Sequence, residues 1–97
     1  MITHIVLFKL HEPLPDVILE AKDRLSGMVG RVPQLRHIEV GIDVIHSDRS
    51  YDIALVTKFD TLEDLKAYQG HPYHAEQIVP YVRSISSSII AVDYESD

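Results

Sequence analysis

Hydrophobic positions divide the chain into six segments with two different periods. Ile2 to Leu10 carries apolar side chains on both faces, with His4, Val6, Phe8 and Leu10 pointing one way and Thr3, Ile5, Leu7 and Lys9 the other. A period of two with both sides apolar predicts a strand covered on both sides. After the breaking segment His11-Glu12-Pro13-Leu14-Pro15, apolar residues recur at three- and four-residue spacing: Val17, Ile18, Ala21, Leu25, Met28, Val29 and Val32. That period predicts an amphipathic helix opening near Pro15 and ending before Pro33. Gly27 and Gly30 weaken it, either through close approach to a sheet or through fraying of its last turns. His37 to Val44 alternates cleanly, with Ile38, Val40, Ile42 and Val44 on one face, and so predicts a strand with one wet side.

The second half repeats the strand–helix–strand theme. Tyr51 to Phe59 reads as a strand. Thr61 with Asp64 caps a helix whose buried stripe is Leu62, Leu65 and Tyr68. Gly70 and the pair His71-Pro72 end that helix, because a residue before proline is pushed out of helical angles. A short helix is expected from Tyr73 to Val79 before Pro80, and a last strand from Ile85 to Tyr94. The order predicts an α+β, ferredoxin-like βαββαβ protomer: a four-stranded antiparallel sheet with its helices on one face. Helices on one face leave Ile5 and Leu7, with Ala54 and Val56 beside them, uncovered on the other. Burying such side chains is worth about 1.5–3 kcal/mol each, which predicts a homodimer through the open sheet face.

Composition narrows the function classes. Residues 1–97 are expected to form one domain, and a chain this short gains from a partner. The net charge of −6 argues against a nucleic-acid partner. No apolar run approaches the length of a membrane span, the start lacks a basic leader, and cysteine is absent. A cytoplasmic protein with no membrane partner is expected.

Chemistry concentrates in Tyr68-Gln69-Gly70-His71-Pro72-Tyr73-His74. Tyr68, His71 and His74 lie three residues apart in turn, and His4 shares its strand face with Val6 and Phe8. A pocket walled by Val6, Phe8, Leu55 and Phe59 would hold a phenol and up to three imidazoles, a set suited to cofactor-free acid–base work. The plainer reading makes Tyr68 a core aromatic and has His71 and His74 hydrogen-bond the broken helix end. Metal ligation by His71, His74 and Glu76, or by His37, Glu39 and Asp43, lacks a specific spacing, so no metal or cofactor is expected. His11 and His46 are expected in loops, and Asp93, Glu95 and Asp97 read as a charged end.

Thr3-His4-Ile5-Val6-Leu7-Phe8-Lys9, Tyr51 through Phe59, the segment from Tyr68 to His74 and the closing Val92-Asp93-Tyr94 together resemble the stress-responsive α/β-barrel (Dabb) domain family. The resemblance covers essentially the whole chain and implies that ferredoxin-like protomers pair into a dimeric α+β barrel. The family includes olivetolic acid cyclase, which closes a linear polyketide without a cofactor. Its catalytic tyrosine and histidine match Tyr68 and His74, and other pocket histidines correspond to His4 and His71. A further histidine of that enzyme falls at Ile53, so the polar lining here is reduced. The expectation is a homodimer that holds a small apolar or aromatic molecule, with His4, His71, Val6, Phe8, Leu55 and Phe59 around it. The alternative is a cyclase-like lyase or isomerase acting on a β-carbonyl compound, with His74 as base and Tyr68 as its partner. A purely structural dimerisation domain is a third reading.

Overall fold

The computed structural model describes residues 1–96, so the Asp97 end of the charged tail lies outside the described residues. Strands β1 (Ile2–Leu10), β2 (His37–Ile42), β3 (Ile53–Phe59) and β4 (Ser86–Glu95) form one antiparallel sheet in the order β2-β3-β1-β4. Helices α1 (Pro15–Ser26), α2 (Leu62–Gly70) and α3 (Val79–Ile85) accompany them, with a π-helical turn over Tyr73–Ile78 leading into α3. The ferredoxin-like reading of the sequence therefore holds, and the short further helix expected from Tyr73 to Val79 runs on to Ile85.

The alternation along β1 has the expected polarity. Val6, Phe8 and Leu10 are buried under the helices beside Ile53, Leu55 and Phe59 of β3. Ala21, Leu25, Met28, Leu65, Tyr68, Ile78 and Val82 close the core from the helical side. On the opposite face the strand register lines up apolar rows: Val56, Ile5 and Val92 in one, Ala54, Leu7 and Ile90 in the next. Ile90 and Val92 of the edge strand remain 47% and 53% exposed.

Several details differ from the sequence reading. Helix α1 stops at Ser26, short of Pro33, and Val29 is exposed rather than part of the stripe. Gly30 takes a φ of +79°, a left-handed turn no helix continues through. The close approach at Gly27 is to a side chain rather than to the sheet, since a Cβ there would meet Tyr73 Oη at 3.1 Å. Strand β2 ends at Ile42, and Val44 and Ile45 stand 81% and 74% exposed in the following loop. Leu62 is also exposed: it follows the cap, where Thr61 Oγ1 accepts the Asp64 N–H at 3.1 Å, and faces away from the sheet.

Pro80 does not end a helix. Proline lacks an N–H and clashes with the carbonyl four residues back. Here the preceding turn is widened so that the Val79 N–H donates to the His74 carbonyl, five residues back, and Pro80 falls in the first turn of α3. The widening lets the chain continue to Ile85.

Candidate functional site

Between the helix-facing side of the sheet and the segment from α2 to α3 lies a pocket of about 220 Å³. Its floor is His4, Val6 and Phe8 of β1 with Leu55 of β3, and Tyr68 and His74 form one wall. Ile78, Val79, Val82 and Arg83 form the other, and Ile89 and Ala91 of β4 make the lip. Of the eight residues expected here, His4, Val6, Phe8, Leu55, Tyr68 and His74 line the space. Phe59 and His71 do not. Phe59 is fully buried beneath Tyr68, with ring centroids 4.9 Å apart. His71 is the residue after α2 with extended backbone (φ −63°, ψ 134°), as its position before Pro72 dictates. Its Nδ1 accepts the Tyr73 N–H at 3.1 Å, so this imidazole ties the broken helix end together.

The three imidazoles differ in which nitrogen is free. A carbonyl oxygen only accepts, so the contact between His74 Nδ1 and the Gln69 carbonyl at 3.2 Å assigns the proton to Nδ1 and leaves Nε2 as an acceptor. By the same logic His4 donates from Nδ1 to the Asp93 carboxylate and keeps Nε2 free. His71 has spent its Nδ1 lone pair on the backbone. Burial holds the His74 imidazole below its ordinary pKa, partly opposed by the Gln69 carbonyl and reinforced by charge on His4 and His71. It is therefore a neutral base at pH 7.

Tyr68 is the centre of the arrangement. Its ring lies 4.2 Å from that of His74 at an interplanar angle of 41°, and meets His4 edge-on at 6.1 Å. The expected hydrogen bond between Tyr68 and His74 is not formed: the rings face each other, and the Tyr68 hydroxyl, fully buried, has no partner among the described residues. Burial pushes the phenol above the usual tyrosine range, so it stays protonated and keeps a proton to donate. The site therefore offers one unspent donor, an unspent imidazole acceptor on His74 and the free Nε2 of His4 over an apolar floor.

Asp93 is the group sequence reasoning missed. It reads as part of a charged tail, yet β1 and β4 pair so that His4 sits directly opposite it. The sheet order alone brings the two strands together; their register decides the pair. Arg83, Val79 and Val82 were hidden by placing a helix end at Pro80, although their spacing is that of a single helical stripe.

Two carboxylates elsewhere serve the backbone. Asp52 Oδ2 accepts the Leu10 N–H at 2.7 Å, and Asp43 Oδ2 accepts the His46 N–H at 2.7 Å. Both border a shallow groove of about 290 Å³ on the open sheet face, remote from the imidazoles. Among the described residues no three His, Asp or Glu side chains converge as metal ligands would, and no helix is long and apolar enough to cross a membrane.

Residues 2–96 match the family described as the Stress responsive A/B Barrel Domain. The chain belongs to that family. This stress-responsive A/B barrel domain is 30% identical over 98 residues to an uncharacterized protein of Streptomyces coelicolor, covering 98% of this chain and 99% of that one. It is 28% identical to a stress-response A/B barrel domain-containing protein of Arabidopsis thaliana, matching all of this chain but spanning only 37% of that protein. A dimeric ferredoxin-like protein of unknown function from Bacteroides fragilis superposes with a TM-score of 0.82 at 32% identity, covering 98% of this chain and 95% of that one. The hydroxynitrile lyase of Passiflora edulis shares the fold (TM-score 0.82, 96% and 90% covered) at 16% identity.

Proposed function

We propose that this stress-responsive A/B barrel domain is a homodimeric binding module whose protomers each hold a small, mainly apolar molecule bearing a hydrogen-bond acceptor. The observation that carries the reading is the buried, unpartnered hydroxyl of Tyr68, a residue of the pocket wall above an apolar floor. Leaving such a donor unpaired costs about 1–3 kcal/mol, which a ligand carbonyl would recover. A volume near 220 Å³ suits a single substituted ring better than a drug-sized ligand. Acetophenone, an aryl ketone with no donor of its own, is a suitable probe. Titrated into the labelled protein, it should shift the resonances of Tyr68, His74, Ile78 and Val82 together, and Tyr68→Phe should weaken it about fivefold. Absence of those shifts at saturating probe would end the reading.

The apolar rows on the open sheet face, and the description of similar structures as dimeric, support association through that face. Wild type should sediment as a dimer and Val56→Glu as a lone subunit. A monomeric wild type would refute it.

A second reading, proton transfer, is favoured by His74 alone: its Nδ1 is tied to Gln69, and its Nε2 is an unprotonated acceptor at neutral pH. In that role Nε2 takes a proton from the carbon beside the ligand carbonyl, and the Tyr68 hydroxyl donates to the enolate oxygen. Deuterium exchange into the methyl group of acetophenone measures this step. It should exceed the buffer rate with wild type and fall to it with His74→Ala; a wild-type rate equal to buffer leaves the site a binder only.

A further inference from the structure

The pocket's charged groups are few and all of one sign. Among the described residues no aspartate, glutamate or lysine lines it, and of its two imidazoles His74 is neutral at pH 7. Among the described residues the one permanent charge in the lining is the guanidinium of Arg83. Val79, Val82 and Arg83 share a stripe of α3, with Val82 buried, Val79 half-buried and Arg83 exposed. The apolar floor thus leads outward to a cation, opposite the Ile89 and Ala91 lip.

Three of this chain's four other arginines are engaged. Arg24 pairs with Glu20 at 3.1 Å and lies over the Tyr81 ring, Arg31 lies over Tyr73, and Arg36 pairs with Asp60 at 2.9 Å. Arg83, like Arg49 in the loop before β3, has neither an ion-pair nor an aromatic partner among the described residues, and of the two it is Arg83 that lines the pocket. A chain with fifteen acidic side chains against nine basic ones has no shortage of carboxylates to offer it.

We infer that the pocket selects a small apolar molecule ending in a carboxylate, which Arg83 recognises at the mouth while the apolar body lies against Val6, Phe8 and Leu55. This rests on the reading of the pocket as a ligand site. A guanidinium fork matches two carboxylate oxygens, and at the edge of an apolar space such a pair is stronger than on open surface. One arginine balances one negative charge. A phosphate dianion would bring a second charge into a chain already at −6.

Three probes of similar body test this at low ionic strength: cinnamate, its neutral isostere cinnamamide, and phenyl phosphate. Cinnamate should bind wild type about tenfold more tightly than cinnamamide, with the difference shrinking as salt is added. Arg83→Gln, a surface change that spares the core, should abolish the preference and leave cinnamamide within about twofold of wild type; Arg83→Lys should keep part of it. Equal wild-type affinities for cinnamate and cinnamamide, or a preference that survives Arg83→Gln, overturns the assignment of Arg83. Phenyl phosphate binding more tightly than cinnamate overturns the carboxylate. Failure of all three to bind removes the ligand site itself, whereas cinnamamide binding without a carboxylate preference leaves that site standing.

Discussion

Replacing Tyr68 by phenylalanine removes one oxygen and leaves the ring where it is. That ring is fully buried, packed on Phe59 at 4.9 Å and facing His74 at 4.2 Å, and none of these contacts uses the hydroxyl. The hydroxyl itself is buried with no partner, so in the folded chain it has given up water and received nothing. Unfolding returns it to water and recovers about 1–3 kcal/mol. Taking the lower end, Tyr68→Phe should stabilise the ligand-free protein by about 1 kcal/mol and raise Tm by about 4–8 °C in a domain of this size. The same change should weaken acetophenone, so stability and binding move in opposite directions. Thermal and urea melts at matched protein concentration measure it, because association feeds into apparent stability, and an unchanged m-value would show that only the folded state was altered. A Tm that falls or stays put would mean that the hydroxyl already has a partner in solution. The pocket's spare donor would then be gone, and with it the argument for a ligand carbonyl.

His74 gives a pH signature. Its folded pKa lies below the ordinary value of 6.5, so below that pH the unfolded chain binds a proton that the folded chain resists. The stability His74 allows is intact above about pH 6.5 and is lost as pH falls toward the folded value. Urea midpoints measured from about pH 7 down to about pH 5 should therefore decline in wild type and decline less in His74→Asn; parallel curves would refute the assignment. Asp93→Asn removes the carboxylate that fixes the His4 proton on Nδ1. The His4 ring nitrogen shifts should move from a single tautomer toward a mixture, with a stability loss of about 1 kcal/mol, and unchanged shifts would show that the contact does not orient the ring.

Local patterns carried most of the fold. The two-sided apolar run from Ile2 to Leu10, the Thr61 cap and the His71-Pro72 break each depend on neighbours within four residues, and each formed as read. Where a pattern was correct but tertiary structure overrode it, the helix from Pro15 stopped early at a glycine turn, and the chain around Pro80 widened instead of ending. The site was legible only in part for the same reason. Tyr68 and His74 are close in sequence and close in space, while His4 and Asp93 are joined by a strand register spanning nearly the whole chain. No local signal distinguishes an aspartate that fixes an imidazole from one that merely solvates a tail. His71 shows the converse: its residue type and spacing suit chemistry, and the backbone uses it as a brace.

The widened turn ahead of α3 also sets how this scaffold could diversify. It holds one surplus residue compared with an ordinary helical turn, anchored where the His74 carbonyl takes the Val79 N–H. Deleting a single position there would restore regular winding and leave the following segment facing as it does, because the widened turn already absorbs the extra residue. Val82 and Arg83 would keep their neighbours and every strand its register, so this turn is a place where the chain can change length by one residue without disturbing the cavity or the sheet beneath it.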